Sequence, residues 1–416
     1  MTASGRDMIA ALDVGSSKIA CFIATVDERQ EITIRGMGVR SCRGVHCGAV
    51  IDVAETEQAI RSAVEQAERM AEVTINEAIV SLSAGDLESH VFEVEVAIAG
   101  HKVEDSDIRR ALDEARSSLA LGEREVVHAF PACFALDGIY GVRAPIGMYG
   151  DRLAVTLHVV TARSGPLRNL GAAVERAHLS VRRFVAAPYA AGLATLVEDE
   201  MQLGAAVIDM GAGTTGIAAF AGGAMVHASV IPLGGSHVTQ DIARGLLTPL
   251  DHAERLKTLH GEAIAIAAND RETIDVPQLG EGDFDPDGYV TLSRSRLTAV
   301  IEPRLTEILE FARERLEAGG FVGGSARRVV LTGAASQLSG IRDLAQRVLD
   351  KQVRLGRPRE VAGLAAATSG PGFATAAGLL VHAARAPREA TDPSHKPPPP
   401  PGNGLSRLGR WLRENL

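Results

Sequence analysis

Several features that define whole classes of protein are scarce in this chain of 416 residues. It has only four cysteines, which form no CxxC pair and have no histidine at a zinc-ligand spacing. A disulfide framework or a zinc site is therefore not expected, and a reducing cytoplasm fits. Cys42, His46 and Cys47 lie together in a turn-rich stretch, where we expect plain loop residues, with a metal site as the less favoured alternative.

Long apolar runs and positive net charge are also missing. No uncharged apolar run reaches the roughly 18 residues of a spanning helix. The N-terminus runs directly into a strand without the pattern of a signal peptide, so any membrane contact should be peripheral. The net charge of −9 makes the chain a poor partner for nucleic acid. Its length and 46% hydrophobic content predict two or more units with substantial cores.

An internal repeat is the most informative pattern in the chain. Residues 8–38 and 205–235 each contain an apolar strand ending in Asp-x-Gly, a turn of small residues, and two further apolar strands. This duplicated β-meander predicts two related α/β lobes. Equivalent positions are 196 or 198 residues apart: Asp13 and Asp209, Gly15 and Gly211, and Ile19 and Ile217. The larger offset of the last pair predicts a slightly longer second turn.

The segments outside the meanders alternate between helical and strand patterns. Residues 85–165 predict an inserted α+β unit, because a charged helical pattern lies between two strand patterns. A polar stretch rich in Gly, Asp and Pro occupies 275–288. Helices are predicted at 54–71, 104–119, 167–178, 187–197, within 237–268, at 295–318 and from 340. Strands are predicted at 77–83, 89–98, 153–161 and 328–332.

The two Asp-x-Gly hairpins have the composition of phosphate-binding turns. Gly15 and Gly211 let the backbone approach closely, so that amide N–H groups can point at phosphate oxygens. Asp13 and Asp209 would face each other across a cleft and hold a hydrated Mg²⁺, which prefers carboxylate and water ligands. The other turn residues assigned to the phosphates are Ser16, Ser17, Lys18, Gly213, Thr214 and Thr215.

A third small-residue loop, GAASQLSG at 333–340, follows a predicted strand. It leaves room for a flat adenine against the backbone, and Gly333, Ala334 and Gln337 are assigned to that contact. Downstream of two phosphate hairpins, this loop resembles the adenosine motif of the actin, heat-shock chaperone and sugar kinase superfamily. The segment GFATAAG at 372–378 resembles the second connecting helix of that superfamily. Its small residues would let it cross close to a helix at 187–194.

Two longer stretches narrow the resemblance. Residues 126–161, with a Pro-x-Gly-Met-x-Gly-x-Arg block at 145–152, and residues 231–257 resemble the FtsA family of bacterial cell-division proteins, along nearly the whole chain. The resemblance implies an α/β, actin-like two-lobed fold with an inserted subdomain, called 1C, and a C-terminal amphipathic helix. It also implies ATP binding, self-association into filaments, and binding to the C-terminal tail of the tubulin-like FtsZ.

The same resemblance predicts further residues, partners and boundaries. Glu254 and Lys257 match the family's AExxK helix, which faces the nucleoside, so they are assigned ribose or adenine contacts. Later membrane proteins of the divisome are implied as partners, at the cytoplasmic face of the inner membrane of the septum. The predicted units are 1A (1–84 and 166–200), 1C (85–165), 2A (201–244 and 325–385), 2B (245–324), a Pro-rich linker (386–404) and a membrane-targeting helix (405–416).

One position departs from the superfamily pattern. The segment FVAAPYAAG at 184–192 resembles the chaperone sequence Asn-Glu-Pro-Thr-Ala-Ala, in which the Glu helps to position the attacking water; actin uses Gln in that region. Ala187 takes this place here. Because alanine cannot orient water, a factor on the order of 10²–10⁴ in rate is lost. We therefore expect tight ATP binding with slow hydrolysis.

The composition changes after Arg385. Residues 386–404 have no apolar period and include five consecutive prolines at 397–401. This pattern predicts a disordered or polyproline spacer that can reach on the order of 60 Å at about 3 Å per residue.

The last twelve residues, LSRLGRWLRENL, predict an amphipathic helix. Its apolar side chains fall within an arc of roughly 140°, and its length of about 18 Å suits a membrane interface better than a span. Three Arg and one Glu give it a charge of +2, which favours anionic lipid. One such helix binds reversibly, so assembly of many subunits would strengthen membrane binding. The residues assigned to the membrane are Leu405, Arg407, Leu408, Arg410, Trp411, Leu412, Arg413 and Leu416.

These patterns favour a scaffold, at most a slow ATPase, that polymerises with ATP and tethers a partner polymer to a membrane. A sugar or carboxylate kinase shares both phosphate loops but has no use for the tail. A PilM-like pilus adaptor has a similar body, although residues 126–161 and the tail argue against it. An MreB-type filament is less favoured still, because its membrane-binding segment lies at the other end of the chain.

Overall fold

In the computed structural model, the described residues are 7–117, 122–142, 144–265, 270–279, 288–321 and 328–385. Their buried apolar side chains form three cores, centred on a first lobe, a second lobe and a unit inserted into the first. The predicted α/β class with duplicated lobes is confirmed. In this part of the chain, no helix combines the length and the apolar content that crossing a membrane requires.

The elements follow one another in four groups. The first lobe begins with β1 (Asp7–Val14), β2 (Lys18–Val26), β3 (Ile32–Ser41), β4 (Val45–His46), β5 (Ala49–Val50), α1 (Val53–Ala71) and β6 (Glu77–Leu82). The inserted unit has β7 (Glu88–Ala97), α2 (Asp105–Ser117), β8 (Arg124–Leu136), β9 (Ile139–Val142) and β10 (Arg152–Arg163). The chain returns to the first lobe with α3 (Ser164–Arg176), β11 (Ser180–Ala186) and α4 (Ala187–Thr195). The remainder has α5 (Glu198–Leu203), β12 (Ala205–Met210), β13 (Thr215–Ala221), β14 (Ala224–Ile231), α6 (Gly235–Gly245), α7 (Leu250–His260), β15 (Thr273–Pro277), β16 (Tyr289–Ser293), α8 (Arg294–Ala318), β17 (Arg328–Thr332), α9 (Ile341–Leu349), β18 (Gln352–Leu355), β19 (Val361–Ala362) and α10 (Ala374–Arg385).

The sheets of the two lobes share an arrangement of five strands, to which the first sheet adds β19. The first runs β11-β6-β1-β2-β3-β19, and the second runs β18-β17-β12-β13-β14. In each, the three meander strands are antiparallel and the next two strands are parallel to the first. Strand β2 is almost entirely apolar and buried, as expected for a strand covered on both faces.

The register shows that the two hairpin turns have the same length. Asp13 pairs with Ala20, and Asp209 pairs with Gly216, so the offset of 196 residues continues into the second strand. The predicted longer second turn is therefore wrong. The mismatch arose because Ile217 is two residues beyond the true equivalent of Ile19, and residues two apart share a face of a strand.

Close packing of α1 on the first sheet depends on two glycines. A Cβ on Gly36 of β3 would lie 2.0 Å from the carbonyl oxygen of Ala67, and one on Gly38 would lie 1.9 Å from that of Ala63. At the N-terminus of α1, the side chain of Asp52 accepts a hydrogen bond from the amide of Glu55 at 3.0 Å and caps the helix. The helix predicted at 54–71 is thus fixed at its start and along its buried face.

Helices α4 and α10 cross where the two lobes meet. A Cβ on Gly378 of α10 would lie 1.7 Å from the carbonyl oxygen of Ala190 of α4, so the predicted close crossing is confirmed. Residues 325–385 were assigned to the second lobe, but α10 packs against β1, β2 and β6 of the first. Its apolar side chains, including Leu379 and Leu380, are fully buried in that core.

The inserted unit is a four-stranded antiparallel sheet in the order β7-β10-β8-β9, with α2 packed on one face. It also contacts the second lobe. The Ser89 hydroxyl of β7 donates to the carbonyl oxygen of Ala228 of β14 at 3.0 Å and accepts from the amide of the same residue at 2.7 Å.

Most predicted elements are present, and several strands were missed. The helices predicted at 54–71, 104–119, 167–178, 187–197 and 295–318 correspond to α1, α2, α3, α4 and α8. The described part of the stretch 237–268 contains most of α6 and all of α7, separated by a turn in which Leu247 has a φ of 54°. The strands that were not predicted are β4, β5, β8, β9, β11, β15, β16, β18 and β19. The linker at 386–404 and the terminal segment at 405–416 lie outside the described residues and stay predictions.

Candidate functional site

The two Asp-x-Gly hairpins meet at a cleft between the lobes. The amide of Gly15 donates to the carbonyl oxygen of Lys18 at 3.1 Å, and that of Gly211 donates to Thr214 at 2.9 Å. A Cβ on either glycine would lie 2.9 Å from the same carbonyl oxygen, so a side chain does not fit. The two turns are thus closed in the same way, and the structure brings them together.

The hairpins also contact each other directly. A Cβ on Gly213 would lie 2.4 Å from the Ser16 hydroxyl oxygen, so the second turn packs on the first. The Ser16 hydroxyl accepts a hydrogen bond from the amide of Gly48 at 3.0 Å, which fixes the β4–β5 hairpin at the same place. Cys47 of that hairpin has its Sγ 3.9 Å from Nε2 of His237 on α6 of the second lobe. Among the described ranges, no three His, Cys, Asp or Glu residues form a metal-binding group.

Asp13 and Asp209 line the same cavity, and each is held by one hydroxyl group. Ser81 donates to Asp13 Oδ1 at 2.8 Å, and Thr375 donates to Asp209 Oδ2 at 2.8 Å. Burial raises the pKa of Asp13, and it raises the pKa of Asp209 to about 7, with the charge of Asp13 acting in the same direction. Two buried carboxylates at one cavity favour a cation between them.

The ammonium group of Lys18 lies at the same cavity. Its Nζ is 3.4 Å from the ring centroid of Phe373, a cation–π contact. Burial lowers the pKa of Lys18, while the charges of Asp13 and Asp209 act in the opposite direction. The first hairpin therefore presents a cation close to the two carboxylates.

A wider cavity of about 560 Å³ continues from the cavity that Asp13 and Asp209 line. The two cavities share Ser17, Gly211 and Ala334, and Gln337 lines the wider one. Glu254 and Lys257 of α7 also line it, whereas Gly333, which was predicted to contact the adenine, lines the first cavity. The volume of the wider cavity lies within the range of about 300–1,000 Å³ typical of small-molecule sites.

Lys257 is held by three acceptors of its own chain. Its Nζ donates to the carbonyl oxygen of Gly235 at 3.0 Å, to the Thr239 hydroxyl at 2.8 Å and to Glu254 Oε2 at 2.6 Å. Thr239 also donates to Glu254 Oε2. The ammonium group therefore helps to fix the orientation of Glu254, which also lines the cavity.

Gly333 connects the nucleoside and carboxylate sides of the cleft. It has a φ of 86°, and a Cβ there would lie 2.4 Å from Asp209 Oδ1, so both the backbone conformation and the contact require glycine. Its amide donates to the carbonyl oxygen of Pro371 at 3.2 Å. The predicted adenosine loop is thus packed directly against a predicted metal carboxylate.

One assigned residue lies away from the cleft. The Thr215 side chain is fully buried, and its hydroxyl donates to the carbonyl oxygen of Leu233 at 2.8 Å. The structure therefore does not place Thr215 with the phosphate residues. Thr214 does line the cavity, because adjacent residues at the start of a strand point in opposite directions.

Ala187 begins α4 and lines the cavity beside the two carboxylates. Its side chain is a methyl group, 5% exposed, with no polar atom to offer a water molecule. The departure from the superfamily pattern is therefore located at the phosphate end of the cleft.

Sequence reasoning missed Ser81, Thr239, Phe373 and Thr375, which support the assigned residues from neighbouring elements. A signal existed for Ser81, because parallel strands β1 and β6 end at the same edge of the sheet and the residue lies near the end of the strand predicted at 77–83. For Thr375 the only signal was a lone hydroxyl in a helix of small residues.

Comparison with known protein families gives two matches within the chain. The family described as cell division protein FtsA matches residues 206–378, and the SHS2 domain inserted in FtsA matches residues 84–161. Cell division protein FtsA of Agrobacterium fabrum is 43% identical, over 98% of this chain and 95% of the relative. The protein of the same name from Pseudomonas aeruginosa is 34% identical over 99% of both chains. That of Escherichia coli is 32% identical over 100% of this chain and 99% of its own.

Solved structures share the fold at lower sequence identity. A chain of the PilM–PilN type IV pilus biogenesis complex has a TM-score of 0.63 and 19% identity, over 90% of this chain and 98% of its own. MreB5 of Spiroplasma citri bound to ADP has a TM-score of 0.51 and 13% identity, over 90% of this chain and 95% of its own. These likenesses confirm the predicted actin-like fold and carry nothing further.

Proposed function

Because this chain belongs to the FtsA family of cell-division proteins, we propose that it is an ATP-binding scaffold that polymerises on the cytoplasmic membrane and holds FtsZ there at the septum. The observation that carries the proposal is the cleft, in which two matched hairpins present Asp13 and Asp209 next to a cavity of nucleoside size. The likeness to PilM concerns the fold, so the pilus adaptor is not retained. No described residue favours a kinase.

The residues of the cleft fit a magnesium nucleotide. The phosphates would lie against the two glycine turns, with Lys18 as a cation at the same cavity. Asp13 and Asp209 would hold Mg²⁺ through water, since this ion usually keeps several of its waters. Glu254 and Gln337 would contact the nucleoside. The ion would neutralise charge on the phosphates, and the protein would supply orientation.

We expect hydrolysis to be slow, because Ala187 has no group that can orient water. Purified full-length protein with excess Mg²⁺ and ATP should turn over well below 1 s⁻¹, the low end of ordinary enzymes. Phosphate release measures this rate. A turnover of about 1 s⁻¹ or more would show that another group positions the water.

The membrane part of the proposal depends on the terminal segment 405–416, which carries Trp411 among leucines and three arginines. An interfacial helix of this composition binds anionic lipid reversibly. Its effect grows when subunits are linked in a filament, because each bound tail raises the effective concentration of the next. Membrane binding and polymerisation should therefore depend on each other. Later membrane proteins of the division machinery are further proposed partners.

Co-sedimentation tests the proposal. The full chain is mixed with vesicles of phosphatidylglycerol and phosphatidylethanolamine, with and without FtsZ, in the presence and absence of Mg·ATP. We expect the full chain to carry FtsZ to the vesicles, more so with ATP. The chain ending at residue 404 and the Trp411→Glu variant should leave FtsZ in the supernatant, whereas Trp411→Phe should not. Vesicle binding that survives both changes would refute the role of the tail.

A further inference from the structure

Thr375 differs from four other helical threonines in the described part of the chain. In an α-helix, a threonine hydroxyl commonly returns to the carbonyl oxygen four residues earlier. Thr56, Thr195, Thr258 and Thr298 all make this bond. Thr375 lies in the first turn of α10, and its hydroxyl instead donates to Asp209 Oδ2 at 2.8 Å. The side chain is 7% exposed and lines the phosphate cavity.

The Asp209 carboxylate is confined on both sides. Thr375 binds Oδ2, and the backbone of Gly333 packs against Oδ1, where an added Cβ would lie at 2.4 Å. Two contacts from opposite directions restrict the carboxylate to one orientation, whereas a carboxylate without them would rotate about χ2. Removing the Thr375 hydroxyl would leave only the contact with Gly333.

This hydrogen bond also joins the two lobes. Asp209 ends β12 of the second sheet, while α10 packs on the first sheet and crosses α4 at Gly378. The carboxylate of Asp209 in the second lobe is thus oriented by α10, which packs on the first lobe. Asp13 has no such link, because its partner Ser81 is on β6 of the same sheet.

We propose that Thr375 is a positioning residue that acts through Asp209 and sets the magnesium-dependent part of nucleotide affinity. The inference rests on the proposed function, because it assumes that the cleft takes Mg·ATP. Groups that orient a metal-binding carboxylate change metal affinity by about 10- to 100-fold when they are removed. Contacts to the nucleoside are made elsewhere in the cleft and do not involve Thr375.

The test compares the affinity of the full-length protein for ATP in excess Mg²⁺ and in EDTA, by calorimetric titration. In the Thr375→Val variant, which keeps the shape of the side chain, we expect the gain in affinity from Mg²⁺ to fall about 10-fold. Affinity in EDTA should stay within about twofold, since the nucleoside contacts remain. Thr375→Ser, which restores the hydroxyl, should recover the magnesium effect.

Thr332→Val is the matched control. The Thr332 hydroxyl is also buried near the cleft, but its hydrogen bonds within the described ranges go to the carbonyl oxygens of Gly356 and Pro371. Its loss should lower the thermal midpoint without changing the magnesium effect. A purely structural role for Thr375 predicts the same result for both valine variants, so that result would overturn the inference.

A double-variant cycle separates action through Asp209 from a general effect. In an Asp209→Asn background, Thr375→Val should not reduce the magnesium effect further, because the carboxylate that it orients is absent. An additive loss would contradict the inference. If neither Thr375→Val nor Thr375→Ala folds while Thr375→Ser does, the hydroxyl is structural and the inference fails. If the unaltered protein binds no ATP, the proposed function fails as well.

Discussion

His158 is a buried titratable group outside the cleft. It lies on β10 of the inserted unit with 1% of its surface exposed, near the place where this unit meets β14 of the second lobe. Burial lowers its pKa to about 4, and the neighbouring His227, His128 and His90 act in the same direction. His227 on β14 also has a pKa of about 4, chiefly because of burial. The junction thus depends on neutral imidazoles.

These histidines make stability depend on pH. Their folded pKa of about 4 lies below the unfolded value of about 6.5. Between these values the unfolded chain binds more protons, so stability falls as the pH drops from 6.5 towards 4. For His158 alone, the loss at pH 4.5 should be about 2 kcal/mol.

Denaturant unfolding at pH 7.5 and at pH 4.5 measures this loss. Replacing His158 with leucine should make the fall between the two pH values smaller by about 2 kcal/mol. The difference between the two proteins at pH 7.5 reports packing alone, because the imidazole is then neutral in both states. Equal falls in both proteins would mean that the pKa of His158 in the folded protein is close to its value in the unfolded chain.

The sequence indicated the carboxylates of the site but not the hydroxyls that hold them. Asp13 and Asp209 stand out because an apolar strand ends in a charged residue followed shortly by glycine. Ser81 and Thr375 have ordinary local contexts, and their role depends on which strand ends and helix starts lie side by side. Thr215 was misassigned for a related reason, since only the register shows which of two adjacent threonines faces the cleft.

At the scale of elements, the crossing of α4 and α10 can be tested with glycine. Gly378→Ala would place a Cβ 1.7 Å from the carbonyl oxygen of Ala190 and force the helices apart. We expect it to lower the free energy of unfolding by about 3 kcal/mol or more, as for overpacked interiors. Chemical denaturation gives the value.

Gly171→Ala is the control for helix propensity. Gly171 lies inside α3, and a Cβ there would be 3.7 Å from the Phe184 ring, an ordinary contact. Alanine should stabilise this helix by about 0.5–1 kcal/mol. If both substitutions change the free energy of unfolding in the same direction, the close crossing is not what makes position 378 sensitive.

The duplicated meander was predictable because apolar runs, small-residue turns and equal spacing recur together. Strand β8 was missed for a physical reason: Pro131 interrupts its pattern, and the register shifts beside it, so the strand continues through a bulge. Strands β15 and β16 have five residues each and flank a polar stretch, so neither carries enough period to be recognised. Helix α10 follows β17 and β18 of the second lobe in the sequence but packs on the first lobe, and no local sequence pattern indicates this.

At the scale of the whole molecule, the first lobe depends on the end of the described chain. Residues of α10 such as Leu379 and Leu380 are fully buried against β1 and β2, and β19 pairs with β3. Full burial of one leucine contributes about 1.5–3 kcal/mol, and α10 buries several apolar side chains. The first lobe should therefore not fold without α10.

Two truncations test this dependence. A chain ending at residue 370 should have protease-sensitive β1–β3 and show no cooperative unfolding, although it retains nearly all of both sheets. A chain ending at Arg385 should keep the thermal midpoint of the full protein and its ATP affinity, and lose only vesicle binding. Cooperative unfolding of the shorter chain would show that the first core is complete without α10.

The packing of α10 on the first sheet has a consequence for biosynthesis. Strands β1 and β2 leave the ribosome first, yet the helix that completes their core begins at residue 374. At roughly 5–20 residues per second, that interval lasts tens of seconds. The ribosomal tunnel hides the newest residues, so α10 emerges only while the tail behind it is being made. Nascent chains should therefore need a chaperone on the first meander until translation is nearly finished.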